Sequence, residues 1–171
     1  MKKISITGPE SSGKSTLARL LSTHFKCGLV TEYAREYLEK GGNITNSSDL
    51  VSLAKVQLDR ENEILRDQSL IICDSDILVL KIWCEEKFPP VPCALMALYQ
   101  YHQYDFTLLC EPDIDWVYDP LRENELDRDR LFIKYAMELK KLNIPNAIIS
   151  GKGAKRFELA KKIIEKQMNS M

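Results

Sequence analysis

The run Gly8-Pro9-Glu10-Ser11-Ser12-Gly13-Lys14-Ser15-Thr16 sets two glycines, a lysine and a hydroxyl at the spacing G-x-x-x-x-G-K-[ST]. Glycine lets the backbone curl so that successive N–H groups point inward as an anion nest, and a helix opening at Lys14 adds the positive end of its dipole. In that geometry Lys14 reaches the outer phosphates of a triphosphate and the Ser15 hydroxyl coordinates Mg²⁺. The expected ATP-binding set is therefore Gly8, Glu10, Ser11, Ser12, Gly13, Lys14, Ser15 and Thr16. A second metal-side acid should close a hydrophobic strand, and Ser69-Leu70-Ile71-Ile72-Cys73-Asp74 supplies one. Asp76 follows two residues on. Either acid could instead cap the next helix; Asp74 is assigned to the metal with Ser15.

Two further clusters could serve a second substrate. Glu32-Tyr33-Ala34-Arg35-Glu36 offers a carboxylate able to take or orient a hydroxyl proton and an arginine able to hold hydroxyls or developing charge. Its bland alternative is a solvated helix face with paired charges. Gln57 and Glu61 fall on the apolar stripe Leu50, Leu53, Ala54, Leu58, Ile64 and Leu65, so Gln57, and less directly Glu61, either reaches water at the helix edge or points into a polar cleft. From Asp119 to Arg130, the arginines Arg122, Arg128 and Arg130 alternate with four acids. This stretch reads either as a solvated loop or as a lid whose Arg122 and Arg128 swing onto the phosphates and exclude water.

Five short β-like runs must carry these residues: Lys2–Thr7, Gly28–Thr31, Ser69–Cys73, Asp105–Cys110 and Asn146–Ile149. Between them lie helical patterns over Lys14–Phe25, Glu32–Lys40, Asp49–Arg66, Asp76–Lys87, Cys93–Tyr101, Glu123–Leu142 and Ala154–Gln167. Alternation of this kind predicts βαβ crossovers and a mostly parallel five-stranded sheet with helices on both faces. Ligands then bind beyond the carboxyl ends of the strands. With no Gly/Ser-rich linker and no repeat, residues 1–171 read as one domain with a lid at about 119–130.

Composition narrows the partners. The 24 basic and 25 acidic residues leave a net charge of −1, so no global positive field favours nucleic acid or an anionic membrane. Five cysteines without a C-x-x-C pair fit buried free thiols in a reducing, cytoplasmic setting better than a disulfide framework or zinc site. His24, His102 and Cys93 carry no spacing that suggests metal or nucleophile chemistry. The terminal helix with Lys155, Arg156, Lys161 and Lys162 reads as a solvated face. Adenine contacts are expected around Ile149-Ser150-Gly151-Lys152-Gly153, after the last strand. Oligomeric state is not legible.

No guanine-reading N-K-x-D occurs, which sets a signalling GTPase aside, and a motor-type or AAA-type ATPase would want a longer chain with added helical subdomains. The reading that remains is a small-molecule kinase with ATP as co-substrate. Its alternatives are a slow ATPase acting as a regulatory module, and a nucleoside-monophosphate or shikimate-type kinase.

In order and spacing, Gly8-Pro9-Glu10-Ser11-Ser12-Gly13-Lys14-Ser15, Glu32-Tyr33-Ala34-Arg35-Glu36, Asp74-Ser75-Asp76 and Trp116-Val117-Tyr118-Asp119-Pro120-Leu121-Arg122 resemble the ribosylnicotinamide kinase domain of NadR-type proteins. The resemblance covers nearly the whole chain. It implies a three-layer P-loop kinase fold and ATP-dependent phosphorylation of the 5′-hydroxyl of nicotinamide riboside, part of NAD biosynthesis. Lys14, Glu32, Asp74, Arg122 and Arg128 would then be catalytic, and Glu32, Tyr33, Arg35, Gln57 and Asp76 would meet a nucleoside-like acceptor. Longer relatives carry adenylyltransferase and DNA-binding parts; this chain begins at the P-loop strand, so those roles are expected to lie on another chain. Thr31 departs from the family pattern, which places a ring-stacking Trp there; Tyr33, Tyr37, Trp83 or Trp116 could substitute. Such stacking on a cationic ring is worth about 0.5–2 kcal/mol.

Overall fold

The computed structural model describes residues 2–101 and 104–169, so His102 lies outside the described residues. Among the described residues there are five strands, β1 (Lys2–Thr7), β2 (Gly28–Val30), β3 (Leu70–Asp74), β4 (Phe106–Cys110) and β5 (Asn146–Ile149). They form one parallel sheet in the order β2-β3-β1-β4-β5. Strands covered on both faces must be apolar throughout, and β1, β3 and β4 are buried almost along their whole length. Where hydroxyls enter this interior they satisfy one another, as in the 2.8 Å bond between Ser5 and Thr107 on adjacent strands.

Among the described residues seven helices complete the three layers: α1 (Lys14–Phe25), α2 (Tyr33–Glu39), α3 (Ser47–Asp67), α4 (Ile77–Lys87), α5 (Cys93–Tyr101), α6 (Arg128–Lys141) and α7 (Ala154–Asn169). On one face α1 packs against α7 through Leu17, Ala18, Leu21, Ala160 and Ile164, together with strand residues such as Ile4, Ile6, Ile72 and Leu108. On the other, α3 to α6 share a core of Leu50, Leu53, Ile77, Leu80, Leu95 and Leu131. The expected α/β architecture is therefore present. Cysteine burial is mixed: Cys73, Cys84 and Cys110 are buried free thiols, Cys27 is half-buried and Cys93 is exposed. Among the described residues no helix is long and apolar enough to cross a membrane.

Three element boundaries differ from the sequence expectation for identifiable reasons. α3 begins two residues earlier, at Ser47, because Asn46 accepts from the Ser48 and Asp49 amides while the Asp49 carboxylate accepts from the Asn46 N–H, a capping box. α4 begins at Ile77 with Asp76 as its cap. α6 begins at Arg128 and not at Glu123, since the Glu123 and Asn124 amides are drawn to the Glu10 carboxylate at 2.9 and 3.0 Å. Residues 123–127 thus belong to the loop that precedes α6.

Because β1 is central, its crossovers leave to both sides and the segment after it occupies the switch point of the sheet. Gly8 makes this possible: its φ is +131°, and a Cβ there would stand 2.6 Å from the Cys110 carbonyl oxygen of β4. Neither the conformation nor the space tolerates a side chain. Gly8→Ala is expected to lower stability by at least about 1–3 kcal/mol in denaturant melts, and a variant as stable as the parent would show that the loop is not locked against β4.

Candidate active site

The segment between β1 and α1 curls through left-handed residues, Ser11 at φ 52° and Gly13 at φ 79°. Gly13 caps α1 without a side-chain bond, which leaves the first amides of the helix to a ligand. The carbonyls of Gly8, Pro9, Ser11 and Ser12, by contrast, are held by side chains. Lys14 Nζ donates to Gly8 O and Pro9 O at 2.8 Å each, and Ser12 Oγ donates to Pro9 O at 2.7 Å. Arg128 reaches Ser11 O at 3.3 Å and Ile114 O at 2.9 Å. Arg156 donates to Ser12 O at 2.8 Å, to Gly151 O at 2.7 Å and to Glu111 O at 2.9 Å, and pairs with Asp113.

Arg156 corrects the solvated reading of the last helix. It is 5% exposed and ties the loop after β5, the end of β4 and the phosphate loop together. A solvated stripe and a buried clamp have the same composition, and the available signal was the short Gly151-Lys152-Gly153 turn that aims this arginine back at the sheet. Glu10 was expected among the ATP contacts; in this structure its carboxylate receives the lid amides.

Three acids with different bonding stand at the strand ends, two of them, Glu32 and Asp74, facing Lys14. Asp74, the last residue of β3, is buried, and burial raises its carboxyl while the Ser15 hydroxyl and Lys14 pull it down. Its Oδ1 has no hydrogen-bond partner, an orphaned oxygen beside the Ser15 hydroxyl that a cation would satisfy. Ser15 and Asp74 therefore fit the metal side. Among the described residues no cluster of three or more His, Cys, Asp or Glu could hold a metal alone, so phosphate oxygens would have to complete the shell.

Glu32, at the start of α2, does not cap its own helix; it accepts from Ser75 Oγ at 3.1 Å instead. Burial raises its carboxyl, with Lys14 opposing and Asp74 adding to the rise. Asp76 takes the capping role that the sequence left open between the two acids. Its Oδ1 accepts from Thr7 Oγ1 at 2.9 Å and from the Val79 amide at 3.3 Å, and burial lifts its carboxyl to about 6.

A cleft of about 380 Å³ runs from the phosphate loop past Glu32 and Arg35 to an apolar end at Leu38, Ile44, Ile82, Trp83 and Tyr135, with Pro120 to Asn124 along one edge. This is the size of a small-molecule site. Of the four aromatic candidates, Trp83 lines it. Trp116 lies under the Arg128 guanidinium at 5.6 Å, while Tyr33 carries the Arg60 guanidinium at 4.3 Å and neighbours Tyr37. The Tyr33 ring faces Arg60 and does not line the cleft, and its amide donates to Gln57 Oε1 at 2.9 Å.

Gln57 and Asp76 stand behind Glu32. With Ser75 they border a chamber of about 10 Å³, which is room for one water and not for a sugar. Gln57 is 4% exposed and its Nε2 has no partner, a donor directed at this region. Glu61 leaves the candidate set altogether: fully buried, it pairs with Lys3 at 3.1 Å and accepts from Tyr104 OH at 2.9 Å. Within the lid, Arg122 donates to Val117 O at 2.6 Å and to Ser11 Oγ at 3.4 Å. Arg130 turns away, to Glu86 and Asp127.

The AAA_28 family, described as an AAA domain, matches residues 3–156. The chain is 25% identical over 181 aligned positions to the trifunctional NAD biosynthesis/regulator protein NadR of Salmonella typhimurium, covering 98% of this chain and 44% of that protein. It spans less than half the length of that curated relative. A crystal structure of NadR protein in complex with NR superposes with a TM-score of 0.84 at 21% identity, over 98% of this chain and 52% of that one. The thymidylate kinase of Ehrlichia chaffeensis superposes at 0.67 and 16% identity, over 98% of both chains. The P-loop kinase fold is thereby shared with proteins of different length.

Asp76 offers a direct check on the burial of the acids. A carboxyl raised on folding, here from 3.8 to about 6, favours the native state below the unfolded value and loses that contribution as pH climbs through the folded one. Asp76→Asn keeps a capping oxygen and removes the titration. Relative to the parent, the variant should gain about 1–3 kcal/mol between pH 4 and pH 7.5, read from denaturant melts at both values. A difference that does not move with pH would show that the carboxyl is unshifted.

Proposed function

The chain belongs to the family described as an AAA domain, and from that premise we propose that it is an ATP-dependent kinase of a nucleoside, with nicotinamide riboside as acceptor and the mononucleotide as product. The family name means that setting AAA-type ATPases aside on length does not hold at the level of membership; the case for transfer over hydrolysis rests on the cleft. The observation that carries the reading is that a single cavity joins the phosphate loop to Glu32 and Arg35, under an arginine-bearing lid. The resemblance of the Glu32–Glu36 block and the likeness to NadR support the choice of acceptor.

In this reading the Gly8 to Thr16 segment cradles the polyphosphate, and Lys14 leaves its two loop carbonyls for the β- and γ-oxygens. Ser15 and Asp74 would hold Mg²⁺, which supplies charge neutralisation of those oxygens when bound. Glu32 orients the acceptor's primary hydroxyl and receives its proton. The new O–P bond forms to the γ-phosphorus as its bond to the β,γ-bridging oxygen breaks, and ADP leaves. Arg35 meets the sugar, with Gln57 steadying the first turn of α2 through the Tyr33 amide. Trp83 presents an aromatic face to the base, in place of the Trp that Thr31 replaces. Arg122 and Arg128 close on the transferred group. The loop at residues 149–153, tied to the phosphate loop by Arg156, borders the adenine, and a cytoplasmic setting suits an enzyme fed by ATP.

ADP release measured side by side with nicotinamide riboside, ordinary nucleosides and no acceptor tests the proposal. Release should depend on the nucleoside, with nicotinamide riboside the best. Lys14→Ala should abolish it, and Glu32→Gln should lower turnover by about 10²–10⁴. A flat panel sinks the kinase reading, and full turnover in Glu32→Gln sinks the base assignment alone.

A further inference from the structure

The lid is bonded to both halves of the cleft, and one carboxylate joins the two sets of bonds. Towards the phosphate loop, Glu10 accepts the Glu123 and Asn124 amides, and Ser11 Oγ accepts the Val117 amide at 3.1 Å. Towards the acceptor side, Asp119 Oδ2 accepts from Arg35 on α2 at 2.5 Å. The same oxygen stands 3.8 Å from Arg122, whose other terminal nitrogen contacts Ser11. Asp119 Oδ1 accepts the Leu121 amide at 3.0 Å, and its carbonyl accepts the Arg122 amide at 3.0 Å, so the carboxylate is fixed by the turn that carries Arg122. Its side chain is 14% exposed, and the Arg35 bond holds its carboxyl below the usual range.

Arg35 lies one helical turn from Glu32, and both line the cleft. The lid could have been anchored to any nearby surface. Besides the Glu123–Lys87 pair, it is anchored to Arg35, which lines the cleft one turn from Glu32. Charged hydrogen bonds of this length are the strong, direction-setting kind, and a shared carboxylate makes the position of one arginine depend on the other.

We propose that Asp119 is a positioning residue that couples acceptor binding to lid closure: it sets Arg35 against the acceptor's sugar and, through the same carboxylate, sets Arg122 over the transferring phosphoryl group. The inference rests on the kinase reading above and extends it. With ATP alone, Asp119 holds Arg122 back at Ser11 and Val117. When a nucleoside engages Arg35, Asp119 shifts with it and carries the Leu121–Arg122 turn over the phosphates. Acceptor-free hydrolysis is thereby kept low, because the lid completes the site only when a hydroxyl is there to be phosphorylated.

The test compares parent and Asp119→Asn, which keeps shape and the Leu121 bond while losing the charge. Acceptor and ATP are varied separately, with and without nucleoside. The turnover number should fall about ten- to a hundredfold and the acceptor KM should rise. The ATP KM should stay within about threefold, because Glu10 and Lys14 are untouched, and the ratio of acceptor-dependent to acceptor-free ADP release should drop. Arg35→Gln should lower the same ratio, and the double variant should be no worse than the poorer single one, as expected for residues acting as a pair. A merely structural Asp119 would lower the melting temperature without moving that ratio, and additive effects of the two variants would equally overturn the proposal. A parent protein with no acceptor-dependent release overturns the kinase reading and this inference with it; a parent that transfers while Asp119→Asn couples as well overturns the inference alone.

Discussion

Everything in this molecule is arranged around the difficulty of pointing a run of amides at a polyanion. A loop whose N–H groups face inward turns its carbonyls outward, and those carbonyls need partners that are not the ligand. Here they come from three directions: Lys14 within the loop, Arg128 from the start of α6 and Arg156 from α7. The close approach of Gly8 to Cys110 fixes the loop against β4, so its curvature is set by the sheet and not by the nucleotide. Once the loop is fixed, the ends of β2 and β3 place Glu32 and Asp74 beside Lys14, because parallel strands of one sheet end on one side.

That shared edge concentrates acids in a small volume. Glu32, Asp74 and Asp76 occupy neighbouring positions, and burial pushes all three carboxyls up. They are separated by what each is bonded to. Asp76 spends its oxygens on Thr7 and the cap of α4, Asp74 keeps one oxygen without a partner beside Ser15, and Glu32 leans on Ser75 with Lys14 nearby. The same residue type thus becomes a structural cap, a metal-side ligand candidate and a proton acceptor candidate through local bonding alone.

How far the sequence could be read follows from which of these bonds are local. The phosphate loop, the strand-end acids and the alternation that builds the sheet are written in consecutive residues, and the structure places them as that pattern demands. The choice between Asp74 and Asp76 was visible as a choice and not as an answer, since Thr7 lies 69 residues from Asp76 and the bond between them belongs to the packed sheet. Glu61 misled because an inward-facing acid looks the same whether it meets a ligand or, as here, Lys3 and Tyr104 at distant positions. Arg156 was hidden for the opposite reason, being one of several basic residues on a helix whose other members are at the surface or partly so. The helix start at Arg128 was masked by good helix formers at Glu123 to Leu126, overridden by a carboxylate more than a hundred residues away.

The near-zero net charge takes on a different meaning in this light. A charged stretch with more acids than arginines is poor at binding anions in general, yet its acids fix cations on either side of it: Asp119 grips Arg35 and stands by Arg122, Asp127 and Glu86 take Arg130, and Glu123 pairs with Lys87. The exposed pairs, Arg130 with Asp127 and Lys87 with Glu123, are worth little to stability, whereas the short bond from Arg35 to the largely buried Asp119 sets direction. In the kinase proposed above, arginines kept in place by internal partners would already be oriented when the ligand arrives, and closing them over it would cost less than ordering free side chains. Charge balance and phosphate recognition are in this way the same feature, because the acids that cancel the lid's charge are the ones that preset its arginines.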